Sequence, residues 1–238
     1  MTPIPVLGRR CTACLALVLC LAACAGGSPA QAAGVHTELA VAGSGLLGLG
    51  DLREVGKPSI GGEAALHLVR DGGGLGLRAA AGLQLLESHE IPTGEDIFNG
   101  IGTQAGKFVA SQNILWLGIG PAWSRPVGSG RVDLFLMGGK AIAKASSSGA
   151  WSNTSGADPG STRVSLAVAG ATWSPPPIGK GTIELGAELI VGGRAAFWDN
   201  PPAVADNAGN HRLQSRTASI TGIVIRAGYR FGGEPRYR

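Results

Sequence analysis

The stretch Ser219–Phe231, SITGIVIRAGYRF, alternates between two kinds of side chain. The odd positions read Ser, Thr, Ile, Ile, Ala, Tyr and Phe, whereas the even positions read Ile, Gly, Val, Arg, Gly and Arg. Because successive side chains of a β-strand point to opposite faces, this pattern predicts a strand. One face of that strand is apolar and ends in two aromatic rings, and the other face carries two arginines.

Seven further segments alternate in the same way, so the chain is predicted to contain eight long strands. The segments cover about 35–49, 58–70, 75–87, 108–123, 131–145, 163–173, 182–197 and 219–231. Their connections alternate in length: 71–74, 124–130 and 174–180 are short, whereas 50–58, 88–107, 146–162 and 198–212 are longer. All short turns then fall at one end of the sheet, which predicts an all-β fold, an eight-stranded antiparallel up-and-down transmembrane β-barrel.

The alternation alone does not say which face of each strand points inward. A soluble lipocalin-like barrel places its apolar face inside, and a membrane barrel places it against lipid. The length of the strands, the one-sided long loops and the aromatic residues near strand ends favour the membrane. These aromatic residues are Trp123, Tyr229 and Phe231 on the turn side, and Phe108 and Phe197 on the loop side. Trp173 falls on the opposite parity, which requires a bulge or a place in the turn.

With the apolar faces outward, a set of charged side chains is predicted to fill the lumen. In the sixth segment, this interpretation turns Val164, Leu166 and Val168 outward and Arg163 inward, and in the seventh it turns Arg194 inward. Buried charges must be paired, so we expect a lumen charge network. Opposed pairs are predicted for Glu188 with Arg226, Glu184 with Arg230, and His67 with both Arg78 and Glu38. The predicted network comprises Glu38, Glu63, His67, Arg78, Glu184, Glu188, Arg226 and Arg230.

The first 32 residues have the form of a secretory signal peptide. Two arginines precede an apolar run, and Ala30-Gln31-Ala32 offers a cleavage site. A competing interpretation is a lipobox at residues 21–24, in which Cys24 becomes the acylated first residue. All four cysteines lie in this leader, so cleavage after Ala32 leaves no disulfide, zinc site or thiol nucleophile. The predicted organisation is a leader at 1–32, a barrel at 33–231 and a periplasmic tail at 232–238.

The ending Gly228-Tyr229-Arg230-Phe231 resembles the C-terminal strand of small Gram-negative outer-membrane barrels of the OmpA/OmpX type. In that family, an alternating strand that ends in an aromatic residue is read by the barrel-assembly machinery. The resemblance therefore implies an outer-membrane location, with membrane lipid and that machinery as partners, and assembly-signal roles for Gly228, Tyr229 and Phe231. One departure is that seven residues follow Phe231, whereas the family's last strand usually ends the chain.

Composition and motifs favour a role without catalysis. The net charge of +4 does not indicate nucleic-acid binding, and no motif indicates a cofactor. Lipid A deacylases are also eight-stranded barrels, but they carry His-x-Ser, and no histidine here has serine two residues on. We expect neither the Ser88-His89-Glu90 sequence to be catalytic nor Asp199, Asp206 and His211 to form a metal site.

The predicted function is a structural or adhesion-like surface-interaction role in the cell outer membrane, carried by long extracellular loops whose partner the sequence does not identify. Two alternatives stay open. One is a lipid-modifying outer-membrane enzyme, and the other is a soluble or lipid-anchored periplasmic lipocalin-like binding barrel.

Overall fold

The predicted all-β barrel is present. A computed structural model of the protein describes residues 34–55, 59–93, 106–149, 161–197, 203–206, 209–212 and 216–232. Its elements are β1 (Val35–Gly48), α1 (Asp51–Val55), β2 (Ser59–Arg70), β3 (Gly74–Thr93), β4 (Gly106–Val127), β5 (Gly130–Gly149), β6 (Ser161–Ser174), β7 (Gly181–Phe197), β8 (Ala203–Asp206), β9 (Gly209–Arg212) and β10 (Arg216–Phe231).

Eight of these strands close into an antiparallel barrel. Their order around the barrel is β1-β10-β7-β6-β5-β4-β3-β2, so each strand pairs with its neighbours in sequence and β1 closes against β10. Strands β8 and β9 form a separate hairpin between β7 and β10. The predicted leader, including Cys24, and residues 233–238 of the predicted tail lie outside the described residues.

Several strands are longer than the alternation predicted. β3, β4 and β5 contain 20, 22 and 20 residues, so the connections between them are shorter than the predicted loops. Most extra residues of β3 and β5 lie at the end of the barrel opposite the short turns, where Ser146 pairs with Ser111, whereas β4 gains residues 124–127 at the short-turn end. Polar strand ends lose the apolar alternation but keep the backbone hydrogen bonds of the ladder. The sequence pattern therefore missed these extensions.

The short turns all lie at one end of the barrel, together with the start of β1 and the end of β10. The β2–β3 turn contains Gly72 and Gly73 at φ values of 80° and 92°. These are left-handed conformations that glycine adopts without steric cost. This end is called the turn end below, and the opposite end is called the loop end.

At the loop end, α1 packs against β1 and β10, and its residues were predicted only as loop. Leu52 of α1 is 1% exposed and joins the buried apolar cluster inside the barrel. A Cβ atom on Gly48 would lie 3.2 Å from the Leu52 side chain, so this glycine allows the close approach of α1. No helix in the described ranges is long and apolar enough to cross a membrane.

A β-bulge near the loop end of β7 changes which residues face inward. The β7–β10 register shifts between Ser219, which pairs with Arg194, and Thr221, which pairs with Val191. Two residues of β7 therefore oppose one residue of β10, and the parity of β7 reverses beyond this point. As a result, two predictions were wrong. Arg194 is exposed, and Phe197, predicted to face lipid, is buried inside the barrel.

Strand β6 has the opposite orientation to the one predicted. Val164, Leu166 and Val168 are buried inside the barrel, whereas Arg163 is exposed on the outside. The predicted inward position of Arg163 was therefore wrong. The lumen near β6 is apolar, so the larger apolar side chains of this strand fill it. Trp173 then needs no bulge, because it lies on the outer face of β6 with 46% of its surface exposed.

The outer surface carries an apolar band. Its exposed large apolar residues span nine residues in β2, β7 and β10, at 60–68, 183–191 and 223–231, eleven residues in β3, at 75–85, and thirteen residues in β1 and β4, at 35–47 and 115–127. β5 and β6 contribute Leu134, Leu136 and Trp173 to this band. A tilted strand needs about 9–11 residues to cross the hydrocarbon of a bilayer. Trp123, Trp173 and Phe231 lie exposed near the turn-end edge of this band. The side chain of Phe108 is outside the described part of the chain.

Candidate functional site: the lumen charge network

All eight residues of the predicted network point into the lumen and are buried. They come from β1, β2, β3, β7 and β10, where Glu38, Glu63, Arg78, Glu188 and Arg226 are between 0% and 5% exposed. A lumen of eight strands is just wide enough to be filled by side chains. Near the turn end, the inward-facing residues of these strands therefore include charged groups that must be paired.

A first layer of ion pairs lies nearest the turn end. Arg131 of β5 donates a hydrogen bond to Glu38 Oε1 of β1 over 2.8 Å. Arg230 of β10 lies 2.7 Å from Asp133 Oδ2 and 3.2 Å from Glu38 Oε2. Thr172 completes the layer by donating to Asp133 Oδ2 over 3.4 Å. Two arginines are thus shared between two carboxylates.

A second layer lies deeper in the barrel. Arg78 of β3 and Arg226 of β10 both donate to Glu63 Oε1 of β2. The same two arginines each lie 3.4 Å from Glu188 Oε1 of β7. Arg78 also stacks over the ring of Phe135, with its guanidinium carbon 4.2 Å from the ring centroid. Such a cation–π contact adds to the ion pairs when the site is shielded from water.

Glu184 joins the two layers into one network. Its carboxylate forms ion pairs with Arg226 of the deeper layer and with Arg230 of the turn-end layer. The charged groups that were predicted to share the lumen therefore form one connected network. A network in which each group has several partners offsets the cost of burying charge better than isolated pairs do.

The predicted register of the last two barrel strands was wrong by two residues. Glu188 is opposite Val224 and Glu184 is opposite Gly228, whereas Arg226 is opposite Gly186. The predicted partners still meet, because a long arginine side chain reaches the diagonal position on the neighbouring strand. The glycines at 186 and 228 leave room for these side chains. A Cβ atom on Gly186 would lie 2.9 Å from the Nε of Arg226.

The register predicted around His67 is the one observed. His67 pairs with Arg78 on one side and with Glu38 on the other. Arg78 donates from Nη1 to the Nε2 of His67 over 2.9 Å, so His67 presents this nitrogen as an acceptor. At the turn end, the ring of His36 lies 3.1 Å from Glu38 Oε1 and 3.0 Å from Asp71 Oδ1.

Two features of the lumen were not predicted. Arg131 and Asp133 of β5 were not singled out, although their alternation with Val132 and Leu134 marks them as facing the same way. The lumen was also expected to be polar throughout. The loop half is instead mainly an apolar core, lined by residues that include Leu46, Leu52, Leu86, Ile114, Trp116, Met137, Val164, Leu166, Val168, Ile190, Phe197, Ile220 and Val224. Ser59 and Gln84 are also buried there, and they hydrogen-bond to each other, while Gln84 donates a second hydrogen bond to Ser44.

The network closes the lumen from wall to wall. The Arg78–Glu188 contact joins β3 to β7, and the Arg131–Glu38 contact joins β5 to β1. In a ring of eight strands, both contacts connect strands on opposite sides. A cavity of about 30 Å³ lies at the turn-end mouth, beside Glu38 and Arg131. This volume suits water molecules and no larger solute.

The described side chains contain no grouping that matches a catalytic or metal site. No cluster of three metal-ligating residues occurs among them. Within this described part, the ring of His36 contacts two carboxylates, and the ring of His67 contacts the Arg78 guanidinium. His89 lies in β3, and Asp206 and His211 lie in the β8–β9 hairpin. Their side chains are outside the described part of the chain, as is Asp199.

Comparison with known proteins finds similarity at the level of architecture. No protein-family model matches the chain. No curated protein matches it either. Among solved structures, the chain is similar to Ail, the attachment invasion locus protein of Yersinia pestis, with 13% identity and a TM-score of 0.39. That similarity covers 83% of this chain and 99% of Ail.

Two further solved structures are similar over most of their length. A major outer membrane protein of Thermus thermophilus is 14% identical over 82% of this chain and 99% of that chain, with a TM-score of 0.45. The outer membrane protease OmpT of Escherichia coli is 9% identical over 87% of this chain and 99% of the OmpT chain, with a TM-score of 0.33. All three TM-scores of this chain lie below 0.5. Its own strand pairing, and not these scores, establishes the closed barrel.

Proposed function

We propose that the protein is an integral outer-membrane β-barrel that spans the bilayer with eight strands. The observation that carries this proposal is the distribution of polarity. The outside of the barrel has an apolar band that is nine to thirteen residues high on six of its strands, whereas buried ion pairs fill the turn half of the lumen. A soluble barrel of the lipocalin type has the reverse arrangement, because water favours a polar exterior.

We infer further that the role is structural or lies in surface interaction, and that the protein does not transport solutes. The wall-to-wall ion pairs and the apolar loop half leave no continuous path through the lumen. The sites left for interaction are the connections at the loop end, between β3 and β4, between β5 and β6, and around the β8–β9 hairpin.

Membrane extraction tests the first part of this proposal. The protein, expressed with its leader, is expected to stay in the membrane pellet after an alkaline carbonate wash and to enter solution only with detergent. It is also expected to migrate faster on a gel before heating than after, as a closed barrel does. Release by carbonate alone would contradict membrane integration and favour the lipocalin-like alternative.

Loop replacement tests the second part. Residues 94–105 and 150–160 would each be exchanged for a short Gly-Ser linker, leaving the described strands intact. The variants are expected to keep the heat-modifiable gel mobility and to lose adherence of expressing cells to surfaces and to one another. Unchanged adherence would argue against a role carried by these two connections.

A further inference from the structure

Three cations lie on the outer face of β5 and β6, close to the loop-end edge of the apolar band. Lys140 and Lys144 point outward from β5, and Arg163 points outward from β6, and all three are exposed. The strand pairing sets Lys140 opposite Ser165, Ile142 opposite Arg163, and Lys144 opposite Ser161. Arg163 is therefore diagonal to both lysines, at a separation of roughly 7–8 Å.

Among the described residues of β4–β7, no acidic side chain on this face balances these charges. The acidic residues of β4–β7 are Asp133, Glu184 and Glu188, and all three are buried in the lumen. The one described contact within the patch is between neutral and cationic groups, since Lys140 donates to the Ser165 hydroxyl over 2.8 Å. Three adjacent cations without a counter-charge repel one another, so the patch favours an anionic ligand.

Below the cations, the outer face of β6 forms a shallow groove. Its outward residues are Ala167, Ala169 and Ala171, and Trp173 closes the groove at the turn end. Larger side chains border this strip, with Leu134 and Leu136 on β5 and Leu185, Leu189 and Val191 on β7. The groove runs about 26 Å from Ser165 to Trp173, at ~3.3 Å per residue. It supplies an apolar path that begins at the cations.

We propose that this patch, Lys140, Lys144 and Arg163, binds the phosphate groups of a lipid in the loop-side leaflet, and that an acyl chain of the same lipid lies along β6. The inference rests on the proposed membrane insertion. Lysine and arginine at headgroup level pair with lipid phosphates, and arginine contacts two phosphate oxygens at once. Charge complementarity selects an anionic lipid, and the groove selects one with an acyl chain beside its phosphate.

The test compares two charge-matched variants of the detergent-extracted protein. One variant carries Lys140→Gln, Lys144→Gln and Arg163→Gln. The control carries Arg70→Gln, Arg125→Gln and Lys180→Gln, which remove three exposed cations at the turn end. The probes are bisphosphorylated lipid A, the same glycolipid without its phosphates, and zwitterionic phosphatidylcholine. Retained lipid is counted by native mass spectrometry on protein whose gel mobility shows a closed barrel.

The unaltered protein and the control are expected to retain the bisphosphorylated lipid at least tenfold better than either other probe. The patch variant is expected to lose this preference. Equal retention by the patch variant, or an equal loss in the control, would overturn the proposal. A dimer of the unaltered protein that dissociates in the patch variant without any change in lipid retention would also overturn it, in favour of a protein interface.

This experiment separates the inference from the proposed function on which it rests. If carbonate alone releases the unaltered protein from the membrane before extraction, the membrane assignment itself is wrong. If the protein needs detergent for extraction but shows no preference for the phosphorylated lipid, only the lipid site is wrong. A single variant, Arg163→Gln, provides a milder change should the triple variant fold poorly, and it is expected to weaken the preference by several fold.

Discussion

At the scale of single residues, the most informative side chain is Arg226. It contacts Glu63, Glu184 and Glu188 from the centre of the lumen while being 2% exposed itself. Burying a charge is costly unless its partners are in place, and removing one partner leaves the others uncompensated. A residue that serves three carboxylates therefore contributes more to the network than any exposed ion pair.

We expect Arg226→Ala to lower the free energy of unfolding by about 3–5 kcal/mol, because three buried carboxylates lose a shared partner. The exposed Arg70→Ala is the matched control and is expected to change it by less than about 0.5 kcal/mol. Urea titration of the protein folded in vesicles, followed by tryptophan fluorescence, measures both values. Equal effects of the two substitutions would mean that the lumen charges are hydrated and unpaired.

A second residue-scale prediction concerns the outer face. Leu189 lies outward near the middle of the apolar band with 43% of its surface exposed. We expect Leu189→Arg to cost about 2–4 kcal/mol, as a charge near the bilayer midplane does. Thr217→Arg, on the outer face near the loop end of β10, is expected to cost about 0–1 kcal/mol. The same titration in vesicles provides the comparison, and equal costs would contradict the assigned membrane position.

At the scale of elements, neighbouring glycines in β5 have different tasks. A Cβ atom on Gly139 would overlap the carbonyl oxygen of Leu117 in β4, whereas a Cβ atom on Gly138 meets nothing within 4 Å. The strands β4 and β5 therefore approach closely at Gly139. A side chain there forces one backbone to move, and the adjacent position is free.

We expect Gly139→Ala to destabilise the barrel by about 1–3 kcal/mol, as overpacking typically does. Gly138→Ala is expected to be neutral or to stabilise by up to about 1 kcal/mol, since it restricts the unfolded chain. The fraction that shows folded gel mobility after refolding into vesicles at increasing urea distinguishes the two. A Gly138→Ala variant as unstable as Gly139→Ala would contradict the register of β4 and β5.

The element scale also shows what the sequence could predict. The strand faces of β1, β7 up to its bulge and β10 follow from alternation, because their two faces differ in polarity. Strand β6 does not, since it has alanine on one face and larger apolar residues on the other. The more apolar face of each strand was expected to point outward. In the loop half, the more apolar face of β6 points inward and contributes to the core. The bulge in β7 falls at two consecutive glycines. The alternation of side chains does not reveal a bulge there, so the faces of Arg194 and Phe197 were predicted wrongly.

The candidate site was predictable as a set of residues and less so as a geometry. The eight predicted residues share one lumen because side chains alternate between the two faces of a strand. Once one inward residue of a strand is known, every second residue along that strand also faces inward. Their pairing across strands depends on register, which the length of a connection determines only loosely. The β7–β10 connection contains its own hairpin, and the register there differed by two residues from the prediction. The tight β2–β3 turn left no such freedom.

At the scale of the whole molecule, the barrel has two different interiors. The turn half holds the ion-pair network, and the loop half holds an apolar core that α1 covers through Leu52. Water and ions entering from the turn end meet guanidinium–carboxylate contacts that cross the lumen. Those entering from the loop end meet tightly packed apolar side chains. In the described residues, side chains therefore block the lumen in both its turn half and its loop half.

We expect no stepwise ion conductance when the protein is inserted into a planar bilayer, because no water-filled path crosses the lumen. The double variant Arg78→Ser, Arg131→Ser removes both wall-to-wall contacts and is expected to stay without conductance steps as well, because the side chains of the loop half still block the lumen. Lys140→Ser, Lys144→Ser is the control, since these residues lie outside the barrel. Discrete conductance steps in the unaltered protein would contradict the closed lumen.

The contacts of Glu38 with Arg230, and of Glu63 with Arg226, have a consequence for how the chain reaches its final form. Both contacts join one of the first two strands to β10, the last strand of the barrel. Before β1 meets β10, Glu38 and Glu63 lack these two arginines, although Arg78 on the neighbouring strand still faces Glu63. The seam between β1 and β10 and the ion pairs that cross it therefore form together, and an open sheet lacks the stabilisation that these pairs contribute on closure. A half-assembled barrel is then a high-energy species that either closes or leaves the membrane.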